Sequence, residues 1–385
     1  MSSAKDHLIS SQELQQAISH AATITNRNII KFQDYFPRPH SIDGRYPYSY
    51  NSLNEEWMQG FWCGLVWLLY ELQRKDYIRC YGEKLTGLIY QSLKKKGLSY
   101  NDIGFLVILS CGADYSFTGS NIAKEVIISA ADSLLTKFHR ASNILCSRDD
   151  ELDSDIISSK ISSLLNSQLL LLATGLTNNA KYSEIAQKNI DTVMKYNIME
   201  DGTAYFYSYF DQKTGTLLPE RYLPGSLSQN SRYGTRNYAW AMYGLASSYC
   251  ATHLPEYASH YDLIFHHLTR HWDAQDIFHI QIPGAPTNLA CDSTSTAIIT
   301  ASLLEMAKHS LSYSSKYHQT ASILLQLLMK HYAVSSASNG EGLLTGAYFG
   351  TSLRYDIIST LCGDYFYMEA LLNYAGIHHS FWYLD

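Results

Sequence analysis

The 385-residue sequence lacks the features that mark several common classes of protein. Its seven cysteines are scattered and contain no C-x-x-C pair, which argues against a metal cluster or a disulfide framework. Charged residues make up only 17% of the chain and no basic stretch is long, so we expect no nucleic-acid partner. No apolar run is long enough to span a bilayer, and the first residues show no apolar segment after their charges. We therefore expect a cytoplasmic protein without a signal peptide and without a membrane partner.

The motifs of several familiar chemistries are also missing. The sequence has no glycine-rich phosphate loop, no G-x-S-x-G turn and no pattern that supports a cysteine nucleophile. His267 and His271 have the i, i+4 spacing of a two-histidine metal pair, but no glutamate follows His267 and Arg270 lies beside them. We accordingly predict no metal and no cofactor.

What the sequence has in excess is aromatic side chains with a polar tip. It contains 31 tyrosines and six tryptophans. Such side chains suit surfaces that are apolar on one side and wet on the other, as sugar-binding clefts are. A tyrosine-rich helical core explains the same composition equally well, so both interpretations stay open.

Helical periodicity recurs along almost the whole chain and predicts an all-α fold. The turn signals between the apolar segments divide them into about twelve helices in successive pairs. Paired helices in even number favour an (α/α)6 barrel in a single domain, 1–385, with an open helical solenoid as the alternative. The predicted helices are 10–32, 55–73, 76–95, 102–112, 119–139, 157–174, 181–198, 236–252, 256–271, 292–308, 314–333 and 363–376.

One stretch interrupts this helical pattern. Residues 202–210 alternate aromatic and small side chains, residues 211–215 read as a turn, and residues 216–218 read as a returning strand. We expect a short β-hairpin near 203–218.

Asp102 is the most informative candidate for a functional residue. It stands at the start of an apolar helix, where an aspartate can cap the helix by accepting backbone N–H groups. The aromatic residues at other helix starts favour a second interpretation, in which Asp102 lines a sugar-binding cleft. Glycoside chemistry usually needs two carboxylates, and no second one is evident near it in the sequence.

Arg236 opens another predicted helix, where its positive charge opposes the helix dipole. A bound anion or carboxylate would offset that cost, and so would a nearby surface acid. Both explanations remain possible at this point.

Five segments in order resemble motifs of the unsaturated glucuronyl hydrolases of glycoside hydrolase family 88. In that family E-W-x-x-G-F-W-x-G is followed by H-D-x-G-F, D-x-x-x-N-x-x-L-L, R-G-Q-A-W and G-D-Y-Y-x-x-E-A-L. The resemblance covers the chain from about residue 45 to 376 and implies an (α/α)6 barrel. The matching segments are Glu56–Gly64, Asn101–Phe105, Ser162–Leu170, Arg236–Trp240 and Gly363–Leu371.

The family removes a 4,5-unsaturated uronic acid from oligosaccharides by hydrating its vinyl ether. One aspartate of the family protonates the double bond and activates water, and a second aspartate holds the sugar. The resemblance places Asp102 at the second, supporting position. The position of the acid/base aspartate is occupied by Ser162. A serine hydroxyl cannot serve as proton donor and base near neutral pH, so we expect the classical activity to be negligible.

The same alignment suggests which residues contact a substrate. Several depart from the family pattern: Asn101 replaces the histidine before the aspartate, Phe206 stands near the position of the family histidine on the hairpin, and Tyr238 replaces a glutamine. Ser352 and Arg354 follow a tyrosine in the place of the family's sulfate-binding loop. The predicted substrate-binding residues are Trp57, Trp62, Asn101, Phe206, Arg236, Tyr238, Trp240, Ser352 and Arg354.

Three interpretations of function follow. The first is a glycoside hydrolase acting on uronic-acid saccharides, with Asp114, Asp153 or Asp155 as a displaced acid/base. The second is a non-catalytic pseudoenzyme that binds a saccharide or a protein partner. The third is an enzyme of different chemistry, for example in a biosynthetic pathway, that uses Asp102, Tyr238 or Arg236 in the same cleft. The partner we predict is a small saccharide or another small-molecule ligand, and the sequence does not fix the oligomeric state.

Overall fold

The computed structural model describes most of the chain, and the statements below concern the described residues. These are residues 9–48, 56–96, 102–147, 154–219, 234–270, 272, 274, 276, 292–309, 313–335, 338–347 and 358–383. They include no helix long and apolar enough to cross a membrane.

Helices make up most of the described chain. The α-helices are α1 (Ser11–Phe32), α2 (Gln59–Gln73), α3 (Asp76–Lys96), α4 (Ile103–Val107), α5 (Ala113–Thr118), α6 (Asn121–Thr136), α7 (Ser163–Thr177), α8 (Ala180–Asn197), α9 (Thr235–Thr252), α10 (Pro255–Arg270), α11 (Ser293–His309), α12 (Ser314–Leu327) and α13 (Leu361–Tyr374). A 3₁₀ turn (Glu56–Met58) precedes α2, and π-helical turns follow α4 (Ile108–Gly112) and α12 (Leu328–Tyr332).

Side-chain caps explain where several of these helices begin. Ser10 and Glu13 form a capping box at the start of α1, because the Ser10 hydroxyl accepts the Glu13 N–H and the Glu13 carboxylate accepts the Ser10 N–H. Ser120, Asn179 and Thr360 cap α6, α8 and α13 in the simpler way, each accepting one backbone N–H of the first turn. The polar residues before the apolar segments therefore set these boundaries.

The strands form two small antiparallel ladders. β1 (Phe138–His139) pairs with β2 (Ile144–Leu145), and β3 (Ile156–Lys160) pairs with β4 (Tyr207–Asp211). The expected hairpin is present as a turn after β4 and a return that bridges Phe210 to Leu217. The main partner of β4 is nevertheless β3, all but the first residue of which lies within the predicted helix 157–174. That prediction was wrong at its first residues, because pairing with β4 makes the chain a strand up to Lys160.

The Cα positions divide the chain into two compact units, and the division falls within α3. The first unit comprises Met1–Thr86 and Trp272–His379. In it α11 packs against α12 and α13, while α13 also contacts α1 and α2. Aromatic rings fill the space between α2 and α13: the Phe61 ring lies 5.8 Å from both Tyr365 and Phe366.

The second unit comprises Gly87–His271 and Ser380–Asp385 and contains Asp102. Its central helix is α7, which packs against α4, α6, α8 and α9. Two glycines permit the close approach of α4 and α9 to α7. A Cβ on Gly104 would lie 2.7 Å from the Leu165 carbonyl oxygen, and one on Gly244 would lie 2.5 Å from the Leu164 Cβ. The single domain predicted for residues 1–385 stays a prediction.

Candidate functional site

Asp102 precedes α4 but does not cap it. Its side chain accepts no N–H of the helix. The Gly104 N–H instead donates to Asn166 Oδ1 on α7, at 2.9 Å. An amide from the neighbouring helix thus satisfies the donor that a capping aspartate would take. The capping explanation of Asp102 was wrong, and its carboxylate is available for other partners.

Those partners are a lysine and a serine. Lys160 Nζ donates to Asp102 Oδ2 at 2.6 Å, and Ser162 Oγ donates to Asp102 Oδ1 at 3.4 Å. Asp102 is only 5% exposed, and Ser162 is buried as well. A buried carboxylate is costly unless a charge and hydrogen bonds compensate it, and here both are present. Ser162, predicted to stand at the acid/base position, therefore contacts Asp102 directly.

The β3–β4 ladder positions Lys160. Lys160 is the last residue of β3 and pairs with Tyr207 of β4. Just beyond the ladder, the Ile161 N–H donates to the Phe206 carbonyl oxygen at 2.8 Å. The Lys160 ammonium lies 5.6 Å from the centroid of the Phe206 ring, within the range of a cation–π contact. Phe206, which the sequence predicts as a substrate-binding residue, thus lies beside Lys160, the partner of Asp102.

Tyr238 is the centre of a second group at the start of α9. Its hydroxyl lies 3.4 Å from His267 Nε2, and the two rings stack with their centroids 5.5 Å apart. His267 Nδ1 is 2.7 Å from the Asp201 carbonyl oxygen. Because a carbonyl only accepts, Nδ1 donates in this contact, and in that tautomer Nε2 can accept from the Tyr238 hydroxyl. Burial raises the pKa of Tyr238, so the phenol stays protonated and acts as a donor.

The loop before β4 contacts both groups. Asn237 Nδ2 on α9 donates to the Ala204 carbonyl oxygen at 3.2 Å, two residues before Phe206. Arg236 is half-buried in the first turn of α9. Trp240 is buried one turn further on, and its ring lies 5.0 Å from Phe105 of α4. Trp240 therefore packs between α9 and α4 beneath these groups.

The two tryptophans predicted from the E-W-x-x-G-F-W segment belong to the other unit. Trp57 is half-buried in the 3₁₀ turn, 6.1 Å from the Phe61 ring. Trp62 is 1% exposed, and its Nε1 donates to the Tyr81 hydroxyl at 3.4 Å. Packing in the core of its own unit accounts for Trp62.

Three other predicted binding residues lie outside the described part of the chain. They are Asn101, Ser352 and Arg354. His271, the second histidine of the spacing considered for a metal, and Asp153 lie outside it too. The suggestions about these residues stay predictions.

Asp114 and Asp155 are the remaining candidates for a displaced acid/base, and both are separated from the Asp102 contacts along the chain. Asp114 is twelve residues further along the helical segment, which corresponds to about 18 Å at the usual helical rise. Its carboxylate accepts the Thr118 hydroxyl at 2.7 Å. Asp155 is exposed and stands five residues before Lys160, about 16 Å away along an extended strand. Neither carboxylate takes the place of Ser162.

Sequence reasoning missed Lys160, Asn166 as a cap and His267 as the partner of Tyr238. Asn166 was part of the quoted motif, so a signal for it existed, although not for its partner. Nothing in the sequence indicated Lys160, because the strand that positions it lies almost entirely within the predicted helix 157–174. His267 was considered only as a metal ligand.

No protein-family model matches the chain. The curated unsaturated glucuronyl hydrolase of Bacillus sp. strain GL1 is 29% identical over 389 residues, covering 96% of this chain and 98% of that protein. The curated unsaturated chondroitin disaccharide hydrolase of Streptococcus pneumoniae strain R6 is 27% identical over 399 residues, covering 97% of this chain and 95% of that protein.

Solved structures of unsaturated glucuronyl hydrolases are also similar to this chain. The crystal structure of the Bacillus sp. GL1 enzyme, described as responsible for the degradation of glycosaminoglycan, superposes with a TM-score of 0.84 at 27% identity and covers 96% of this chain and 99% of that one. A mutant unsaturated glucuronyl hydrolase of Streptococcus agalactiae complexed with dGlcA-GalNAc6S has a TM-score of 0.80 at 24% identity, covering 98% and 95%. These likenesses confirm the predicted (α/α)6 barrel fold.

Proposed function

Since this chain is related to the unsaturated glucuronyl hydrolases of glycoside hydrolase family 88, as its motifs indicated, we propose that its Asp102 site binds a uronic-acid saccharide without hydrating it at an appreciable rate. The observation that carries the proposal is the set of contacts around Asp102. The supporting aspartate is retained, while its neighbours are a serine hydroxyl at 3.4 Å and a lysine ammonium at 2.6 Å.

The reaction of the relatives explains why these neighbours matter. Hydration of the vinyl ether puts a proton on one alkene carbon and the oxygen of water on the other. The proton that water loses returns to the base, so nothing else is consumed. The group that donates the first proton must bind and release protons near the working pH, as a carboxyl group can be tuned to do. A serine hydroxyl does not, and general acid–base catalysis typically contributes about 10²–10⁴-fold.

Several groups in the unit that contains Asp102 suit a sugar. Tyr238 offers a protonated hydroxyl, Phe206 offers an aromatic ring, and Arg236 brings a cation to the start of α9. Aromatic faces complement the C–H faces of pyranose rings, and guanidinium groups pair with carboxylates. The S. agalactiae relative was solved with dGlcA-GalNAc6S, and we propose a ligand of that chemical class for this chain.

Two measurements test the proposal. The first follows the ultraviolet absorbance of the conjugated double bond when the protein is mixed with lyase-generated unsaturated disaccharides. We expect no loss above the buffer control, and rapid loss with Ser162 in place would contradict the proposal. The second is titration calorimetry with the same disaccharides. Binding should weaken by at least about 10-fold in Asp102→Asn and stay unchanged in Asp155→Asn, the exposed control. Equal binding by both variants would remove Asp102 from the site.

A further inference from the structure

Lys160 is the feature of the site that the family motifs do not account for. Its ammonium holds one oxygen of the Asp102 carboxylate at 2.6 Å, while Ser162 approaches the other. Its side chain is 16% exposed and that of Asp102 is 7% exposed, so water screens the pair only weakly. Two features therefore meet at one carboxylate: a serine at the acid/base position of the motif, 162, and a lysine ammonium from position 160.

We propose that Lys160 is a positioning and specificity-determining residue, which sets this site to hold an anionic saccharide group and prevents proton transfer there even when a carboxylate is restored at position 162. The inference deepens the proposed function and rests on it. It adds that Ser162 is only half of the reason for inactivity.

The argument follows from how neighbouring charges affect a carboxyl group. Two carboxylates that share a site repel each other, so one of them keeps a proton near neutral pH and can donate it. A nearby ammonium favours the ionised form of a carboxyl group. An aspartate at 162 would stand beside Asp102, whose other oxygen this ammonium holds. It would be ionised and would have no proton to give to the double bond.

The same charge changes what the site attracts. Asp102 and Lys160 together carry no net charge, whereas two carboxylates would repel the carboxylate or sulfate of an acidic saccharide. Removing the ammonium alone would leave the Asp102 charge without its counter-ion, facing an anionic ligand. Lys160 therefore favours binding at the cost of catalysis.

The experiment compares Ser162→Asp in three backgrounds: with Lys160 present, with Lys160→Met and with Lys160→Arg. Methionine keeps an unbranched stem to lie against Phe206 and removes the charge, while arginine keeps the charge. In the ultraviolet assay we expect Ser162→Asp and Ser162→Asp/Lys160→Arg to remain at the level of the unmodified protein. Ser162→Asp/Lys160→Met should be at least about 100-fold faster, with a bell-shaped pH profile.

A matched control is Lys195→Met combined with Ser162→Asp. The Lys195 ammonium lies 4.9 Å from the Tyr196 ring centroid, so it makes a similar cation–π contact on an exposed helix face, away from Asp102. This variant should stay inactive. If Ser162→Asp alone is as fast as the double variant, or if the folded double variant is inactive, the role of Lys160 is refuted. Activity in the unmodified protein would instead refute the proposed function.

Binding supplies a second measurement that needs no gain of activity. Lys160→Met alone should weaken binding of an unsaturated uronic-acid disaccharide by at least about 10-fold, and Lys160→Arg should retain it within about 3-fold. Thermal unfolding checks that each variant is folded. If Lys160→Met binds as tightly as the unmodified protein, the ammonium does not select the ligand and the inference fails.

Discussion

Asp364 should make the stability of the protein depend on pH, in the direction opposite to an ordinary acid. Its carboxylate lies on α13, 1% exposed. It accepts the Leu343 and Leu344 N–H groups at 2.8 and 3.1 Å and the Tyr46 hydroxyl at 2.9 Å. Burial raises the pKa of Asp364 to about 7, although these three hydrogen bonds lower it. The folded protein therefore holds a proton that the unfolded chain has already released.

The sign and the size of the effect follow from proton linkage. Between the unfolded pKa of 3.8 and the folded pKa of about 7, the folded state binds more protons, so stability falls as pH rises. Integrated from pH 5 to pH 8, this difference corresponds to a loss of about 2.5 kcal/mol in the free energy of unfolding. Well below the unfolded pKa of 3.8 the contribution becomes constant, because both states are then protonated.

Asp364→Asn removes the titration and keeps most of the contacts. The amide oxygen can still accept both backbone N–H groups, and the amide nitrogen can donate to the Tyr46 oxygen. Urea unfolding of both proteins at pH 5 and pH 8 measures the effect. The unmodified protein should lose about 2.5 kcal/mol more than Asp364→Asn over this range. Asp211→Asn is the control: hydrogen bonds from Thr214 lower the pKa of that half-buried acid, so it titrates below the range from pH 5 to pH 8. Parallel loss by the unmodified protein and Asp364→Asn would refute the reasoning.

Two further substitutions test the packing and the charges elsewhere. Gly104→Ala should lower the free energy of unfolding by about 1–3 kcal/mol in urea titrations, because its Cβ would meet the backbone of α7; Gly87→Ala, with open space at its Cβ, should be neutral or stabilising by up to about 1 kcal/mol. Burial alone would raise the pKa of Glu71, but the hydrogen bond and charge of His378 lower that pKa below 4.5. Glu71 therefore stabilises the folded protein above pH 4.5, and this stabilisation is lost as the pH falls through the folded pKa. Glu71→Gln should cost about 2–4 kcal/mol at pH 7 and flatten this acid limb, whereas Glu83→Gln, in an exposed pair, should cost no more than about 1 kcal/mol. Equal losses within either pair of variants would contradict the argument.

The sequence predicts those parts of the fold that depend on local pattern. Apolar spacing and turn signals placed most helices within a few residues of their observed ends. β3 could not be found in this way. Its residues run directly into the apolar start of α7, and it becomes a strand by pairing with β4, about fifty residues later in the chain. A local pattern carries no information about a partner so distant, and the assignment of 157–174 as one helix followed from that.

The same limit applies to the site. The resemblance indicated that Asp102 and Ser162 belong together, and the structure shows their contact. Lys160 was missed because its role depends on the strand: at the end of β3 its ammonium lies over the Phe206 ring and reaches Asp102. Neither contact follows from the identity of the residue, since a lysine in a polar stretch is usually solvated.

The cap at α4 decides what kind of residue Asp102 is. If Asp102 had to accept the Gly104 N–H, its orientation would serve the helix, and its retention would say nothing about a ligand. Asn166 accepts that N–H instead, from the facing helix that Gly104 approaches closely. The carboxylate is therefore turned toward Lys160 and Ser162, where it serves no helix end. A buried charge is costly, and this one is held by a lysine that a purely structural acid at a helix start would not need. This arrangement agrees with the binding role that we propose for Asp102.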